Sequence, residues 1–228
     1  MRIYQIVYED KKIAALIFLR EYSSRVTNKN LRDFHGKPLF RIILETLKNS
    51  KYIDQIILNT PSQKIIDKSS DLDLKIHKRP QWLDEINTNE ANAIIDYDLS
   101  KSSFEYYIQT HSTNPLLSIQ TIDNSIEVFF NNIDKYDSLF SVTSFKKRFY
   151  HKDFSSINHD YKNLQPTQEI DPLFMENSCI YIFSKDSFLK EKNRIGTKPY
   201  IYETDFFESV DIDTEQDFKL AHLIKSLS

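Results

Sequence analysis

The pattern of apolar and polar positions divides the chain into short buried stretches and longer amphipathic ones. Ile13 to Leu19 (IAALIFL) is apolar without interruption, as expected of a strand covered on both faces. Pro38 stands where it can open a helix, and Leu39, Ile43, Thr46 and Leu47 then recur at helical spacing. Gln55 to Leu58 reads as a second strand, stopped by the Asn59-Thr60-Pro61 turn signal, and Leu72 to Ile76 as a third. Glu90 to Leu99 reads as a helix, and Tyr106 to Gln109 as a strand running into the loop THSTNPLLS. Ile119, Ile122, Ile126, Phe129, Phe130 and Ile133 mark the clearest amphipathic helix. Ser138 to Val142 and Ser178 to Phe183 read as two more buried strands, and the last helix carries Leu220, Leu223, Ile224 and Leu227 on one face.

Strands alternating with helices predict an α/β fold, a mostly parallel central sheet flanked by helices. Residues 146–175 break the alternation with polar and aromatic residues of weak periodicity, long enough to predict a functional excursion. Phe145, Phe149, Tyr150, Phe154 and Phe174 border or occupy it and suit either a dimer interface, a pocket wall or ordinary core filling. Residues 1–228 are expected to form one domain carrying this insertion.

Composition narrows the function. A net charge of −3 gives no bulk attraction to nucleic acid, and no apolar run approaches the ~20 residues of a membrane span. The start, MRIYQIVYEDKK, lacks a signal-peptide pattern, so a cytoplasmic protein is expected. One cysteine, Cys179, excludes an internal disulfide and a cysteine metal cage, and it reads as a buried small residue. With two glycines, Gly36 and Gly196, the chain has no glycine-rich phosphate loop, so any phosphate cradle must lean on side chains.

Such side chains follow the first strand. Arg20, Arg25, Lys29, Arg32 and Lys37 fall in one segment leading to Gly36-Lys37-Pro38, where a nucleoside triphosphate would find positive charge at the carboxyl ends of strands. A solvated basic loop is the alternative. Near the other end, Asp211 and Asp213 alternate along an extended segment, so both carboxylates can share a face. Two hard oxygen ligands suit Mg2+, which keeps waters and bridges to phosphates, although Asp213 also qualifies as the N-cap of the last helix.

Several motifs, in order, resemble those of the acylneuraminate cytidylyltransferase family. The loop residues Arg20, Ser23, Arg25, Lys29 and Asn30 are followed by Gly36-Lys37-Pro38-Leu39, and then by Arg79-Pro80. Thr113-Asn114-Pro115-Leu116 is similar to the family's Thr-Ser-Pro-Leu, and Glu176-Asn177-Ser178-Cys179-Ile180-Tyr181-Ile182 to its Glu-Asn-Gly-Ala strand. Asp211-Ile212-Asp213-Thr214-Glu215-Gln216-Asp217 resembles the segment before the family's last helix. The resemblance implies a nucleotide-diphospho-sugar transferase-like, Rossmann-like fold, usually dimeric, with an excursion reaching the partner. It implies CTP and a nonulosonic-acid sugar as partners, Mg2+ as cofactor, and transfer of CMP with release of pyrophosphate.

Carried onto this chain, the resemblance makes Arg20, Lys29 and Asp211 the candidate catalytic residues. Nucleotide contacts fall to Arg20, Ser23, Ser24, Arg25, Lys29, Asn30 and Arg79, with Asn30 near the cytosine unless it closes a turn. His111, Thr113, Gln168 and Asn177 are the candidate substrate contacts; His111 stands where the family has a glutamine, and reads otherwise as the end of a strand. Asp211 and Asp213 are the candidate metal ligands. The chain departs from the family at Glu21-Tyr22, which replaces a glycine pair and brings a carboxylate toward an anionic ligand unless it turns away. Ser24 stands in place of a lysine and Thr27 of a proline, with Arg25 a candidate replacement for the lost charge. An active transferase, a nucleotidyltransferase for another sugar or base, and a catalytically silent nucleotide-binding dimer all fit this pattern.

Overall fold

The structure, a computed structural model, describes residues 11–23, 25–85 and 91–227; Ser24, Glu90 and the chain's first ten residues lie outside the described set. From the start of the described chain come β1 (Ile13–Phe18), a small hairpin of β2 (Asp33–Phe34) and β3 (Lys37–Pro38), α1 (Leu39–Lys48) and β4 (Ile53–Thr60). Then follow α2 (Gln63–Asp67), β5 (Leu74–Lys78), α3 (Gln81–Glu85), α4 (Ala91–Ser100), β6 (Tyr106–Gln109) and α5 (Ile119–Asn131). The chain continues through β7 (Ser138–Phe145), β8 (Leu173–Ser184), α6 (Lys185–Glu191), β9 (Pro199–Glu203) and α7 (Glu215–Ser226).

Seven strands form one sheet in the order β5-β4-β1-β6-β8-β7-β9. The pairs β5–β4, β4–β1, β1–β6 and β7–β9 are parallel, whereas β8 runs antiparallel to both its neighbours. After β1 the chain builds outward through β4 and β5, then returns to place β6 on the other side of β1. The loops leaving the neighbouring parallel strands β1 and β6 meet at the carboxyl rim of the sheet, where the Ser112 hydroxyl donates to Asn30 Oδ1, and the helices that follow them, α1 and α5, pack on the same face.

The core forms on both faces. On one, α1 buries Phe40, Ile43, Leu44 and Leu47, each contributing about 1.5–3 kcal/mol, and α5 adds Ile122, Ile126, Phe129 and Phe130. On the other, Ile95 and Leu99 of α4 and Phe188 of α6 pack against Ala14, Leu16, Tyr107, Tyr181 and Phe183. Thr46 lies off the buried face of α1 and spends its hydroxyl on the carbonyl of Ile42.

Some elements differ from their sequence-based reading. The strand expected at Leu72 to Ile76 begins two residues later, and β4, β7 and β8 run longer than their apolar cores. The last helix is seated by Phe218 and Ala221, while Leu220, Leu223 and Leu227 are exposed, so its leucine stripe faces outward. Its N-cap is Thr214, in a reciprocal capping box with Asp217, which releases Asp213 from that duty. Between β7 and β8 the excursion presents Tyr150, Phe154, Tyr161 and Leu164 at its surface.

Candidate active site

The loop after β1 is tied down at both ends. Asn30 donates from Nδ2 to the carbonyl of Arg20 at 2.7 Å and accepts at Oδ1 from the hydroxyl of Ser112 at 2.7 Å. Its amide thus staples the β1 loop to the loop after β6 instead of facing outward. Directly beside it, Lys29 is buried, and its Nζ donates to the carbonyl of Ile212 at 2.5 Å, with Asp213 Oδ1 3.8 Å away. Ile212 is itself fully buried and donates its backbone N–H to the carbonyl of Thr113 at 2.9 Å. The extended segment 211–213 is thereby pinned between both loops, with one aspartate on each side of the anchor.

Asp211 is the least satisfied group in this cluster. Its Oδ1 is buried and has no hydrogen-bond partner. Burial pushes its carboxyl above the usual range, outweighing a bond from Thr113, and the charge of Asp213 adds to the rise. Burial likewise lowers Lys29, against the pull of Asp213 and Asp211. Arg25 is exposed and rests on Asp213 Oδ2 at 2.8 Å. A buried carboxylate oxygen without a partner, next to a second carboxylate held only by side-chain cations, fits a hard divalent cation. No third histidine, cysteine or carboxylate completes a metal-binding group among the described residues, so such an ion would take its remaining ligands from water and phosphate.

Arginines at the other end of the loop are spent differently. Arg79 is buried and donates Nε to Asn59 Oδ1 at 2.8 Å, Nη1 to Asp84 Oδ1 at 3.0 Å, and Nη2 to the carbonyls of Leu19 and Asn59. This side chain, expected to contact the base or ribose, ties β1 and β4 to α3 in this structure. Arg20 donates to Asp84 through its Nε and to the Asp84 carbonyl through its Nη2, but stays partly exposed. Behind them Asn59 donates to Asp98, which also meets His77 Nδ1 at 2.8 Å. Arg32 and Lys37 are paired with Glu215 and Glu45, outside the cluster.

Glu21, the apparent misfit, turns away. Its carboxylate accepts from the Ser62 hydroxyl at 2.6 Å and lies 3.7 Å from Lys64 Nζ. Together with Arg20, Tyr22, Pro61, Ser62 and Asp84 it lines an open cleft of about 480 Å³. Ser23 is half-buried in the same loop.

On the β6 side, burial holds His111 neutral, down at about 3, with the charges of Arg194 and Lys29 reinforcing the shift. Gln109 Nε2 lies 2.8 Å from His111 Nε2, and Gln109 Oε1 accepts from Arg194 Nη1 at 2.6 Å. Arg194 stacks its guanidinium 3.6 Å above the ring of Tyr181, whose hydroxyl bonds to Glu176. Neither Arg194 nor Gln109 stands out in the sequence, because Arg194 sits in the polar tract KEKNRIG and Gln109 looks like the end of a strand.

Two expected substrate contacts lie elsewhere. Asn177 is buried: its Oδ1 accepts from Ser141 and the Cys179 N–H, and its Nδ2 reaches Thr143, Thr204 and Ser209. It holds the irregular β7–β8 pairing together. Gln168 is exposed on the excursion, and no hydrogen bond joins it to the other candidates among the described residues. Ser178, where the resembled motif has glycine, has a left-handed φ of 58°.

Known proteins resemble this chain over most of its length. The chain aligns at 24% identity with the N-acylneuraminate cytidylyltransferase of Streptococcus agalactiae over 91% of its own length, and spans about half (52%) of that relative. The pseudaminic acid cytidylyltransferase of Campylobacter jejuni is 24% identical, with 93% of this chain and 96% of that protein covered. Among solved structures, CMP:2-keto-3-deoxy-manno-octonic acid synthetase, solved with CTP, superposes with a TM-score of 0.70 at 11% identity, over 95% and 99% of the two chains. The 4-diphosphocytidyl-2C-methyl-D-erythritol synthase of Anaerococcus prevotii gives 0.66 at 16% identity, over 96% and 98%. These likenesses are to the fold. The sequence profile of the cytidylyltransferase family matches residues 14–227, and the chain belongs to that family of enzymes.

Proposed function

We propose that this protein transfers CMP from CTP to a nonulosonic sugar acid of the sialic or pseudaminic type and releases pyrophosphate. The observation that carries the proposal is the convergence of Lys29, Asp211 and Asp213 at the sheet's carboxyl rim, with a buried Asp211 oxygen left unpartnered. The named relatives at 24% identity, whose printed substrates are N-acylneuraminate and pseudaminic acid, supply the acceptor class.

In this reading the anomeric hydroxyl attacks the α-phosphorus, a new P–O bond forms, the α–β phosphoanhydride bond breaks, and the hydroxyl proton leaves to solvent. Asp211 and Asp213 would hold Mg2+, which when bound would neutralise phosphate charge. Lys29, already partly desolvated and fixed by the Ile212 carbonyl, meets the charge that grows on the departing pyrophosphate. Arg25, exposed and resting on Asp213, is free to turn to a phosphate once the carboxylate is engaged. Arg20 borders the 480 Å³ cleft and adds a third, forked cation. Glu21, which lines the same cleft, has its carboxylate engaged by the Ser62 hydroxyl and faced by Lys64, so its charge is partly offset.

The exposed aromatics of residues 146–175 are assigned to contact with a second copy of the chain, giving a homodimer, which light scattering on the purified protein tests. Function is tested by pyrophosphate release with Mg2+, each of the four NTPs, and a panel of nonulosonic acids and Kdo. CTP-dependent release with a nonulosonic acid is expected. Release with another base or with no sugar acid overturns the reading.

A further inference from the structure

Arg194 is an unusual cation for its position. Its side chain is only 17% exposed, one face is covered by Tyr181, and its Nη1 is bonded to Gln109. Its Nη2 has Glu176 Oε1 at 3.9 Å, too long for a hydrogen bond, and that carboxylate is already bonded to the Tyr181 hydroxyl. A guanidinium stripped of water to this degree loses hydration that the protein replaces only in part, and burial accordingly lowers its proton affinity.

The loop that carries it is rigid. Gly196 donates its N–H to Ser138 Oγ at 2.8 Å, and the Asp137 carboxylate accepts from the N–H groups of Thr197 at 2.9 Å and Lys198 at 3.0 Å. A side chain at Gly196 would meet Asp137 Oδ1 at 2.2 Å, so only glycine fits the clamp.

Hydrogen-bond chemistry then fixes the next two residues. Arginine can only donate, so Gln109 must present Oε1 to it and Nε2 to His111. His111 Nε2 must accept, which leaves the proton of the neutral ring on Nδ1. Gln109 thus links Arg194 to His111, which opens the loop whose Ser112 bonds to Asn30, the neighbour of Lys29.

Resting on the proposed function, we infer that Arg194 is the receptor for the carboxylate of the acceptor, oriented through Tyr181 and Gln109. In a nonulosonic acid the carboxylate is attached to the same carbon as the attacking hydroxyl. Bringing it up to an anionic triphosphate costs repulsion, and a fixed, under-hydrated guanidinium linked to His111 through Gln109 offsets that cost while aiming the hydroxyl. Arg194 is thus a specificity-determining residue, selecting acids over neutral sugars of the same shape.

The test uses the full-length protein, CTP, Mg2+, and N-acetylneuraminic and pseudaminic acids alongside their methyl esters, read as pyrophosphate release. The wild type is expected to favour acid over ester by roughly 10- to 100-fold in kcat/KM, as for loss of a charged hydrogen bond. Arg194→Met should raise KM for the acid by a similar factor, leave KM for CTP within about twofold, and collapse the acid-to-ester ratio. Arg194→Lys should recover part of that ratio. Equal use of acid and ester by the wild type overturns the inference even if the Arg194 variants fail to fold. A ratio unchanged in a folded Arg194→Met variant, with acid and ester declining together, also overturns it and makes the residue structural. Turnover of neither acid with CTP overturns the function reading, and this inference with it.

Discussion

Arg79 and Lys29 are both buried cations at the rim of one sheet, yet their surroundings differ in kind. Arg79 has a protein acceptor for each of its donor nitrogens, through Asn59, Asp84 and Leu19. Lys29 shares a pocket with two carboxylates, one of which has a buried oxygen with no partner. The first cluster is closed and works as scaffold. The second is electrostatically incomplete, and incompleteness in a buried site has a cost that a bound ligand can remove. Motif matching ranks the two residues together; only the fate of their hydrogen bonds separates them.

The sharpest way to break this contrast is Asp211→Asn. Turnover is expected to fall by roughly 10²- to 10³-fold, as when one electrostatic stabiliser is removed, while the melting temperature stays equal or rises because a carboxylate disfavoured by burial is gone. Steady-state kinetics at saturating Mg2+ and calorimetry check both halves, and normal turnover would sink the metal-ligand role. Arg79→Met should do the opposite. Loss of one partner from a buried pair costs about 3–5 kcal/mol, so urea unfolding should shift strongly while the folded fraction keeps its kcat within a few-fold. A variant that unfolds normally but loses turnover would move Arg79 into the catalytic group.

A third expectation concerns acid. Between 6.5 and about 3 the unfolded chain binds a proton on His111 that the folded protein refuses. Stability therefore falls as pH drops through that interval, by up to about 1.4 kcal/mol per unit from this one group. His111→Gln should flatten the slope of unfolding midpoints between pH 4.5 and 6.5; an unchanged slope would mean that the ring is accessible to protons. The smallest effect is expected from Ser178→Gly. A left-handed φ of 58° costs a non-glycine residue roughly 1–2 kcal/mol, offset by the Tyr181 hydroxyl bond to Ser178 Oγ at 3.2 Å, so denaturant unfolding should show a gain of at most about 1 kcal/mol.

Much of this molecule could be read before its structure. Tyr106 to Gln109 is a strand with the bounds its apolar pattern marks, and the Ile119 helix and the mostly parallel sheet follow from periodicity alone. Periodicity does not say which way a helix face points. The leucines of α7 repeat as a core stripe would, yet Phe218, stacked 4.1 Å from the Arg32 guanidinium, is what seats the helix. β9 escaped notice because it is a half-exposed edge strand that begins at a proline. Within the site, Lys29, Asp211 and Asp213 were legible as charged residues in ordered motifs. The packing role of Asn177 between β7 and β8 was not legible, because sequence does not distinguish an amide that binds a ligand from one that binds a bulge. Arg194 was invisible because its meaning comes from Gln109 and Tyr181, 85 and 13 positions away by number (194 − 109 and 194 − 181).

The reversed direction of β8 has a mechanical consequence. Because it runs against its neighbours, its first half lies at the same rim as the carboxyl ends of the parallel strands, so Glu176 and Ser178 reach the site from a hydrogen-bonded strand. The opposite wall, at Lys29 and Asn30, is a single helical turn held by side-chain bonds to Ile212, Arg20 and Ser112. One wall of the cleft is fixed by backbone pairing and the other by individual side chains. A substitution on the first changes only what lines the cleft, whereas a substitution of Lys29 or Asn30 also removes what holds that wall in place.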